Sequence, residues 1–142
     1  MSNLQQPAAR SPDTPGVAVI GAGGWGANLV RNLAELGALA AIVDSNTQRL
    51  TTLAGDYPHI PCSSDYRTVL ASDVPAVVVA TPVETHYQVV KEALLANKDV
   101  FVEKPLTTEL GKAEELQTLA GQRQRILMVG HLVLFQPAIG WI

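Results

Sequence analysis

Short apolar runs alternate with amphipathic stretches along most of this chain. The apolar runs are rich in valine, isoleucine and alanine, and most are apolar at consecutive positions, which is typical of parallel strands covered on both faces. They predict strands at Val17–Ile20, at Leu39–Val43, near Ile60, and at Ala76–Ala80, Val100–Val102 and Ile126–Gly130.

The stretches between these strands repeat apolar residues three or four positions apart, as an amphipathic helix does. The apolar stripes of three predicted helices are Leu29, Leu33 and Leu36 (with Gly37 as the stop); Val89, Val90, Ala93 and Leu94; and Leu110, Ala113, Leu116 and Ala120. Strand and helix in alternation predict right-handed βαβ units, hence an α/β fold with a doubly wound parallel sheet of about six strands. Such sheets bind ligands at the carboxyl ends of their strands.

A glycine-rich turn, "VIGAGGWGANLV", joins the first predicted strand to the first helix. Gly21, Gly23 and Gly26 have the spacing G-x-G-x-x-G, which provides a tight turn, room for a pyrophosphate and close helix packing. The following helix offers free N–H groups and its positive end to phosphate. The turn therefore predicts a dinucleotide site in a Rossmann fold, with a ligand-free tight turn as the alternative.

Asp44 ends the second predicted strand, where a carboxylate accepts hydrogen bonds from a ribose diol. Its charge repels a 2′-phosphate, and neither Ser45 nor Asn46 supplies a positive charge to hold one, so NAD is favoured over NADP. Arg49 keeps NADP open. The structural alternative is that Asp44 caps the next helix, which Ser45 or Asn46 also suit.

The later strand ends separate a nicotinamide cofactor from S-adenosylmethionine, because methyltransferases share the glycine turn and the acid. After the fourth strand comes "ATPVETH", in which Thr81 can bond the cofactor and Pro82 turns the chain into a helix. After the fifth comes "VFVEKPLTT", which places Glu103 and Lys104 where the nicotinamide would lie. Methyl transfer has no obvious use for Glu-Lys-Pro there.

Composition and charge exclude other classes of protein. The 142 residues suit one domain, and a hydrophobic content of 47% is enough for a packed core. A formal net charge of −3 without a basic stripe argues against nucleic acid. The single Cys62, the lack of a signal peptide and the lack of an apolar run of about 18 to 20 residues favour a cytoplasmic protein away from membranes.

The glycine fingerprint, "ATP" and "EKP" in this order resemble the N-terminal domain of the Gfo/Idh/MocA oxidoreductases, the family of glucose-fructose oxidoreductase and inositol dehydrogenases. The segments "GGWGANLVRNLAELGAL", "DVFVEKPLT" and "ILMVGHLVLFQPAI" look most like the NAD-dependent 3-dehydrogenases of UDP-N-acetylglucosamine and its uronic acid, which serve surface polysaccharide synthesis. The resemblance runs from residue 16 to the end.

The resemblance implies oxidation of a sugar secondary alcohol, such as C3 of a UDP-N-acetyl-hexosamine, with NAD as the acceptor. Lys104 would be the polar catalyst on the reacting hydroxyl, since a partly dry cleft beside a cationic nicotinamide disfavours its charged form. Glu103 would support Lys104 or the cofactor. His131, just past the sixth strand, is a lesser catalytic candidate, and a packing role is its alternative.

The cofactor site is expected to include further residues beside those argued above: Gly24, Trp25, Ser45 and His86. Trp25 either flanks the pyrophosphate or packs under the turn, and His86 serves the start of its helix. No spacing of histidine and cysteine suggests a metal site.

Residues 1–15 are polar and rich in proline, with too little apolar surface to repay ordering, so we expect a flexible tail there. The resemblance divides the rest of the chain into an NAD-binding domain over 16–131 and, over 132–142, the start of a crossover to a larger C-terminal substrate domain. That domain and its Asp-x-x-x-His motif are not found in this sequence. The expected protein is therefore a fragment of a homo-oligomeric sugar dehydrogenase, inactive alone, whose nucleotide-sugar substrate needs the complete enzyme. The alternative is a non-catalytic NAD-binding module that acts through a protein partner.

Overall fold

Six strands alternate with five helices over residues 14–131, the part of the chain that this computed structural model describes. The strands are β1 (Val17–Ile20), β2 (Leu39–Val43), β3 (Cys62–Ser63), β4 (Ala76–Val79), β5 (Asp99–Val102) and β6 (Leu127–Val129). The helices are α1 (Gly24–Glu35), α2 (Thr47–Asp56), α3 (Arg67–Leu70), α4 (Val83–Leu95) and α5 (Leu110–Arg123).

All six strands are parallel and form one sheet in the order β3-β2-β1-β4-β5-β6. The winding direction reverses between β1 and β4, which is the topological switch point of a Rossmann fold. The predicted doubly wound α/β sheet is therefore confirmed. The third strand lies slightly later than predicted, because Ile60 donates its N–H to the carbonyl of Tyr57 in the turn after α2.

Alternate residues of the central strands pack into two hydrophobic cores, one on each face of the sheet. On β1, Ala18 and Ile20 belong to the core covered by α4 and α5, and Val19 belongs to the core covered by α1 and α2. Both faces are apolar because helices cover both, which explains the continuous apolar runs in the sequence.

The α1 helix packs on the sheet through a different face from the one predicted. Its buried residues are Gly26, Val30 and Ala34. Of the predicted stripe, Leu29 and Leu33 are partly buried and Leu36 is 72% exposed. The reason is close approach: small residues bring the helix against the sheet, and the three leucines instead line an open groove of about 400 Å³ beside β4 and β5.

The other predicted helix features are mostly confirmed. All four residues of the α4 stripe are buried, as are Leu116 and Ala120 of α5. Leu110 was expected in that stripe but is 76% exposed, because it opens the helix and the packed face begins about one turn later. Gly37 follows the end of α1 with a φ of 65°, as its predicted role as a stop requires.

Two predicted segments fall largely or wholly outside the described residues: the tail over 1–15, of which only residues 14 and 15 are described, and the crossover over 132–142. Within 14–131, none of the helices combines the length and the apolar character needed to cross a bilayer.

Candidate functional site

The register of the sheet brings the predicted site residues to one edge. Ile20 at the end of β1 pairs with Val43 of β2 and with Val79 of β4, and Val79 pairs in turn with Val102 of β5. The residues that follow these strand ends therefore leave the sheet at the same level. They are Gly21, Asp44, Ala80 and Glu103.

Gly21 makes the tight turn after β1. Its φ is 91°, in the region that favours glycine, and its N–H donates to the carbonyl of Val43. A Cβ at this position would lie 2.7 Å from the carbonyl carbon of Ala80 and 2.8 Å from the nitrogen of Thr81. The turn therefore lies directly against the end of β4, at the switch point.

Gly26 provides the close helix packing that its position in the fingerprint predicts. A Cβ on Gly26 would stand 1.9 Å from the carbonyl oxygen of Gly21, a separation that no side chain can occupy. The first turn of α1 therefore crosses the glycine turn in backbone contact. Both glycines serve the fold itself, independently of any ligand.

Gly23 and Gly24 differ from the other two glycines, because no atom of the described chain lies within 4 Å of a Cβ built on either. Gly23 is the N-cap of α1, and within residues 14–131 no side chain accepts a hydrogen bond from the first N–H groups of this helix. Bare backbone, open space and free N–H donors are the features that bind a pyrophosphate. The local geometry fits a dinucleotide.

Asp44 is 6% exposed and is tied to the glycine turn. Its Oδ2 accepts from the N–H of Ala22 at 2.8 Å and from the guanidinium of Arg49 at 2.7 Å. Its Oδ1 accepts from the N–H of Asn46 at 2.8 Å. Three of about four acceptor sites on the carboxylate are thus used, which leaves one on Oδ1 for a ribose hydroxyl.

The charge of Asp44 is stabilised by these bonds. Burial by itself raises the pKa of the carboxyl, but the hydrogen bonds from Asn46, Arg49 and Ala22, together with the positive charge of Arg49, outweigh burial and lower the pKa. The N-cap of α2 is Asn46, whose side chain accepts from the N–H of Arg49 at 3.0 Å. The alternative in which Asp44 caps this helix is therefore wrong.

Trp25 and Glu103 meet across the site. The indole Nε1 of Trp25 donates to Oε1 of Glu103 at 2.6 Å, which links the start of α1 to the end of β5. Trp25 is 50% exposed, so the alternative in which it packs under the turn is wrong. Glu103 also lies on the bare backbone of Gly130, where a Cβ would come within 3.3 Å of its carboxylate.

Lys104 follows Glu103 and is exposed, with a cis peptide bond to Pro105. The N–H of Glu103 donates to the carbonyl of Val79, which anchors this segment to β4. Among the described residues, Lys104 forms neither an ion pair nor a side-chain hydrogen bond with Glu103, whose carboxylate instead accepts from Trp25. Residues 14–131 therefore present Lys104 to solvent and do not enclose it.

His86 is placed differently from expectation. Its ring is 2% exposed, with Nδ1 2.8 Å from the carbonyl oxygen of Pro105 and Nε2 2.8 Å from the carbonyl oxygen of Thr81. With both nitrogens against main-chain carbonyls, the ring has no polar atom left for a cofactor. This geometry argues against the prediction that His86 binds the cofactor directly.

The remaining predicted residues lie at the same edge of the sheet. Thr81 is partly buried, and its hydroxyl accepts from the hydroxyl of Thr85 at 2.7 Å. Pro82 is the N-cap of α4, and Ser45 is exposed beside Asp44. His131 is exposed after β6, so the described residues do not bury it as its packing alternative requires.

Three contacts at this site were not predicted from the sequence. The N–H of Ala22 holds Asp44, the guanidinium of Arg49 pairs with it, and Gly130 makes room for Glu103. The first and the third depend on segments that meet only in the folded sheet, whereas the second joins residues five positions apart. The glycine at the end of the last strand, in "MVGH", was the available signal for the third.

Residues 16–131 match the sequence profile of the Gfo/Idh/MocA family, described as an oxidoreductase family with an NAD-binding Rossmann fold. The chain is 30% identical over 129 residues to UDP-N-acetylglucosamine 3-dehydrogenase of Acidithiobacillus ferrooxidans. That alignment covers 87% of this chain and 39% of the relative, so the chain spans about two fifths of the relative's length.

Solved structures resemble this chain over a similar range. The structure of the same Acidithiobacillus dehydrogenase has a TM-score of 0.81, covering 88% of this chain and 41% of that chain. A 3-ketoreductase variant from Actinomadura kijaniata, solved with TDP-benzene and NADP, has a TM-score of 0.80 at 30% identity and covers 88% and 39%. Scyllo-inositol dehydrogenase from Lactobacillus casei, solved with NAD(H) and scyllo-inositol, shares the fold with a TM-score of 0.83 at 22% identity, covering 91% and 39%.

Proposed function

The chain belongs to the Gfo/Idh/MocA family of oxidoreductases, and from this premise we propose that it is the cofactor-binding domain of an NAD-dependent sugar dehydrogenase. The observation that carries the proposal is the shared edge of the sheet, where an open glycine turn, a buried aspartate with a free acceptor site and an exposed lysine follow neighbouring strands. The match to a family of oxidoreductases, with a lysine at this edge, favours this function over a non-catalytic binding module. The connection to the substrate domain then begins within residues 132–142.

Each part of the edge has a task toward NAD. The backbone of Gly23 and Gly24 and the free N–H groups of α1 hold the pyrophosphate, and Asp44 accepts from the adenosine ribose. When bound, NAD accepts a hydride from the substrate carbon. Lys104 would bond the reacting hydroxyl and help its proton leave, and Glu103, held by Trp25, lines the same part of the cleft.

The proposed substrate is a nucleotide sugar oxidised at C3. Two relatives that are 30% identical support this choice, one named a UDP-N-acetylglucosamine 3-dehydrogenase and the other a 3-ketoreductase that was solved with a TDP ligand. Both names place the reaction at carbon 3. The named substrate of the first and the bound ligand of the second each contain a nucleoside diphosphate. UDP-N-acetylglucosamine and its uronic acid are accordingly the first substrates to test.

Cofactor choice is the first expected result. The chain should bind NADH at least about tenfold more tightly than NADPH, or 1.4 kcal/mol, because the buried carboxylate of Asp44 repels a 2′-phosphate. Titration of both reduced cofactors, followed by energy transfer from the two tryptophans of the chain to the dihydronicotinamide, measures the two dissociation constants.

Two variants control this experiment. Asp44→Ala should lower the affinity for NADH and reduce the difference in affinity between NADH and NADPH, since it removes both the ribose acceptor and the repelling charge. Arg49→Met leaves the carboxylate of Asp44 in place and removes the guanidinium that lies 2.7 Å from it. If the difference in affinity between NADH and NADPH increases in this variant, the residual affinity for NADPH is assigned to Arg49. Equal affinities for both cofactors in the wild type would remove Asp44 from the ribose site.

Whether this domain supports oxidation of a nucleotide sugar is tested with a chimera in which residues 1–131 replace the matching part of the Acidithiobacillus dehydrogenase, whose own second domain completes the enzyme. The chimera should reduce NAD in the presence of UDP-N-acetylglucosamine. The natural Acidithiobacillus enzyme, assayed in parallel, is the positive control. A folded chimera that binds NADH but does not reduce NAD with this substrate would contradict the proposal.

A further inference from the structure

His86 lies in the first turns of α4, beneath two of the turns that form the site. Its Nε2 faces the carbonyl oxygen of Thr81, and its Nδ1 faces that of Pro105, each at 2.8 Å. Carbonyl oxygens only accept hydrogen bonds, so a neutral ring donates to one of them and an imidazolium donates to both. At 2% exposure, no other described polar group bonds the ring.

The two carbonyls belong to the segments that matter for chemistry. Thr81 follows β4 and touches the glycine turn, because its nitrogen would lie 2.8 Å from a Cβ on Gly21. Pro105 directly follows Lys104. Proline has no N–H, so its carbonyl is the one polar main-chain group through which this residue can be held.

Lys104 is therefore held from both sides along the chain. Before it, the N–H of Glu103 donates to Val79 of β4. After it, the carbonyl of Pro105 meets His86, whose own position is set by a 13-residue helix packed in the core. Neither Thr81 nor Lys104 lies within a helix or strand, so without His86 the second contact would be lost.

We propose that His86 is a positioning residue that ties the Thr81 turn to the Lys104–Pro105 turn and so sets where Lys104 stands relative to the cofactor. The proposal rests on the proposed function, because it takes Lys104 as the catalytic group. His86 itself touches neither cofactor nor substrate. It acts by holding the main chain on either side of the site, at Thr81 and next to Lys104.

The two ring nitrogens can be tested one at a time, since amide side chains reproduce them separately. The Nδ2 of asparagine stands where histidine has Nδ1, so His86→Asn can still donate to Pro105. The Nε2 of glutamine stands where histidine has Nε2, so His86→Gln can donate only to Thr81. His86→Leu removes both contacts. Lys98→Met is the matched control, because Lys98 is the other buried basic side chain of the described region and bonds the carbonyl of Ser72 instead.

The experiment measures native-state hydrogen exchange at the amide of Glu103, which directly precedes Lys104 and donates to the carbonyl of Val79, in the 142-residue chain, with amides of β4 as the internal reference. Loss of one net hydrogen bond should speed exchange at this amide by up to about tenfold in His86→Gln and leave it near wild type in His86→Asn. Urea unfolding of every variant reports overall stability, and Lys98→Met should lower it without changing the local exchange ratio. NAD reduction by the chimera and by its Lys104→Ala variant is measured in parallel.

Exchange near the wild-type rate in His86→Asn together with faster exchange in His86→Gln supports the positioning role, whether or not His86→Leu folds. Equal exchange in the asparagine and glutamine variants, or the same local change in Lys98→Met, overturns it. Exchange decides the positioning role, and NAD reduction by the chimera, with its loss in Lys104→Ala, decides the proposed function. The two proposals therefore fail separately.

Discussion

Gly23→Val is expected to bind no measurable NADH and to keep its fold. A Cβ on Gly23 meets no atom of the described chain within 4 Å, and the φ of −67° suits any residue, so the isopropyl group enters open space at the N-cap of α1. That space is where the pyrophosphate would contact bare backbone. The side chain should lower NADH affinity at least about a thousandfold, or roughly 4 kcal/mol.

Two other glycines make this result interpretable. Gly55→Val adds the same side chain at an equally open glycine near the far end of α2, and its NADH affinity should equal that of the wild type. Gly26→Ala places a methyl group 1.9 Å from the carbonyl oxygen of Gly21, so circular dichroism and urea unfolding should show a disrupted domain. Undiminished NADH binding by Gly23→Val would mean that the pyrophosphate does not lie on this turn.

The 142-residue chain by itself is expected to bind NAD and to oxidise no UDP-N-acetylglucosamine. Lys104 is exposed in the described region, so these residues neither exclude water from it nor form a wall against which a sugar is held. Holding the substrate carbon in line with the cofactor contributes about 7 to 11 kcal/mol of the barrier in well-oriented reactions. One general acid or base contributes roughly a hundredfold to ten-thousandfold, which does not replace that positioning.

The assay follows absorbance of the reduced cofactor with the chain alone and with the chimera that carries the Acidithiobacillus second domain. Only the chimera should be active, and Lys104→Ala in the chimera should lower kcat by at least about a hundredfold. Steady NADH production by the 142-residue chain that disappears in its own Lys104→Ala variant would show that residues 1–142 suffice for catalysis.

The glycine turn shows how far local sequence can predict a site. Gly21, Gly23 and Gly26 share one motif, and their tasks follow from bond geometry and the absence of a side chain, so the turn was predictable from spacing alone. The structure adds that two of them contact backbone and the third faces open space. That division depends on where β4 and the first turn of α1 come to lie.

The position of His86 and the packing of the first helix could not be predicted from the sequence. His86 follows a recognised turn by a few residues, and its place in the sequence suggested a cofactor contact. Its burial and its bond to Pro105 come from a segment 19 residues further along the chain. In the same way, the leucine spacing of α1 correctly predicted a helix, but not its buried face. The helix packs closely on the sheet through its small side chains and not through the leucines.

By itself the sequence determined the alternation of strands and helices, the parallel sheet, the dinucleotide turn and the acid that follows β2, because each depends on residues within one strand–turn–helix unit. Only the tertiary structure decided which face of α1 is buried, that Asp44 bonds Ala22 and Arg49, that Trp25 meets Glu103, and that His86 ties two turns together. The contacts of Asp44 with Ala22, of Trp25 with Glu103 and of His86 with Pro105 join groups far apart in the chain, and they form because parallel strands end at a common level and bring their following residues to one edge.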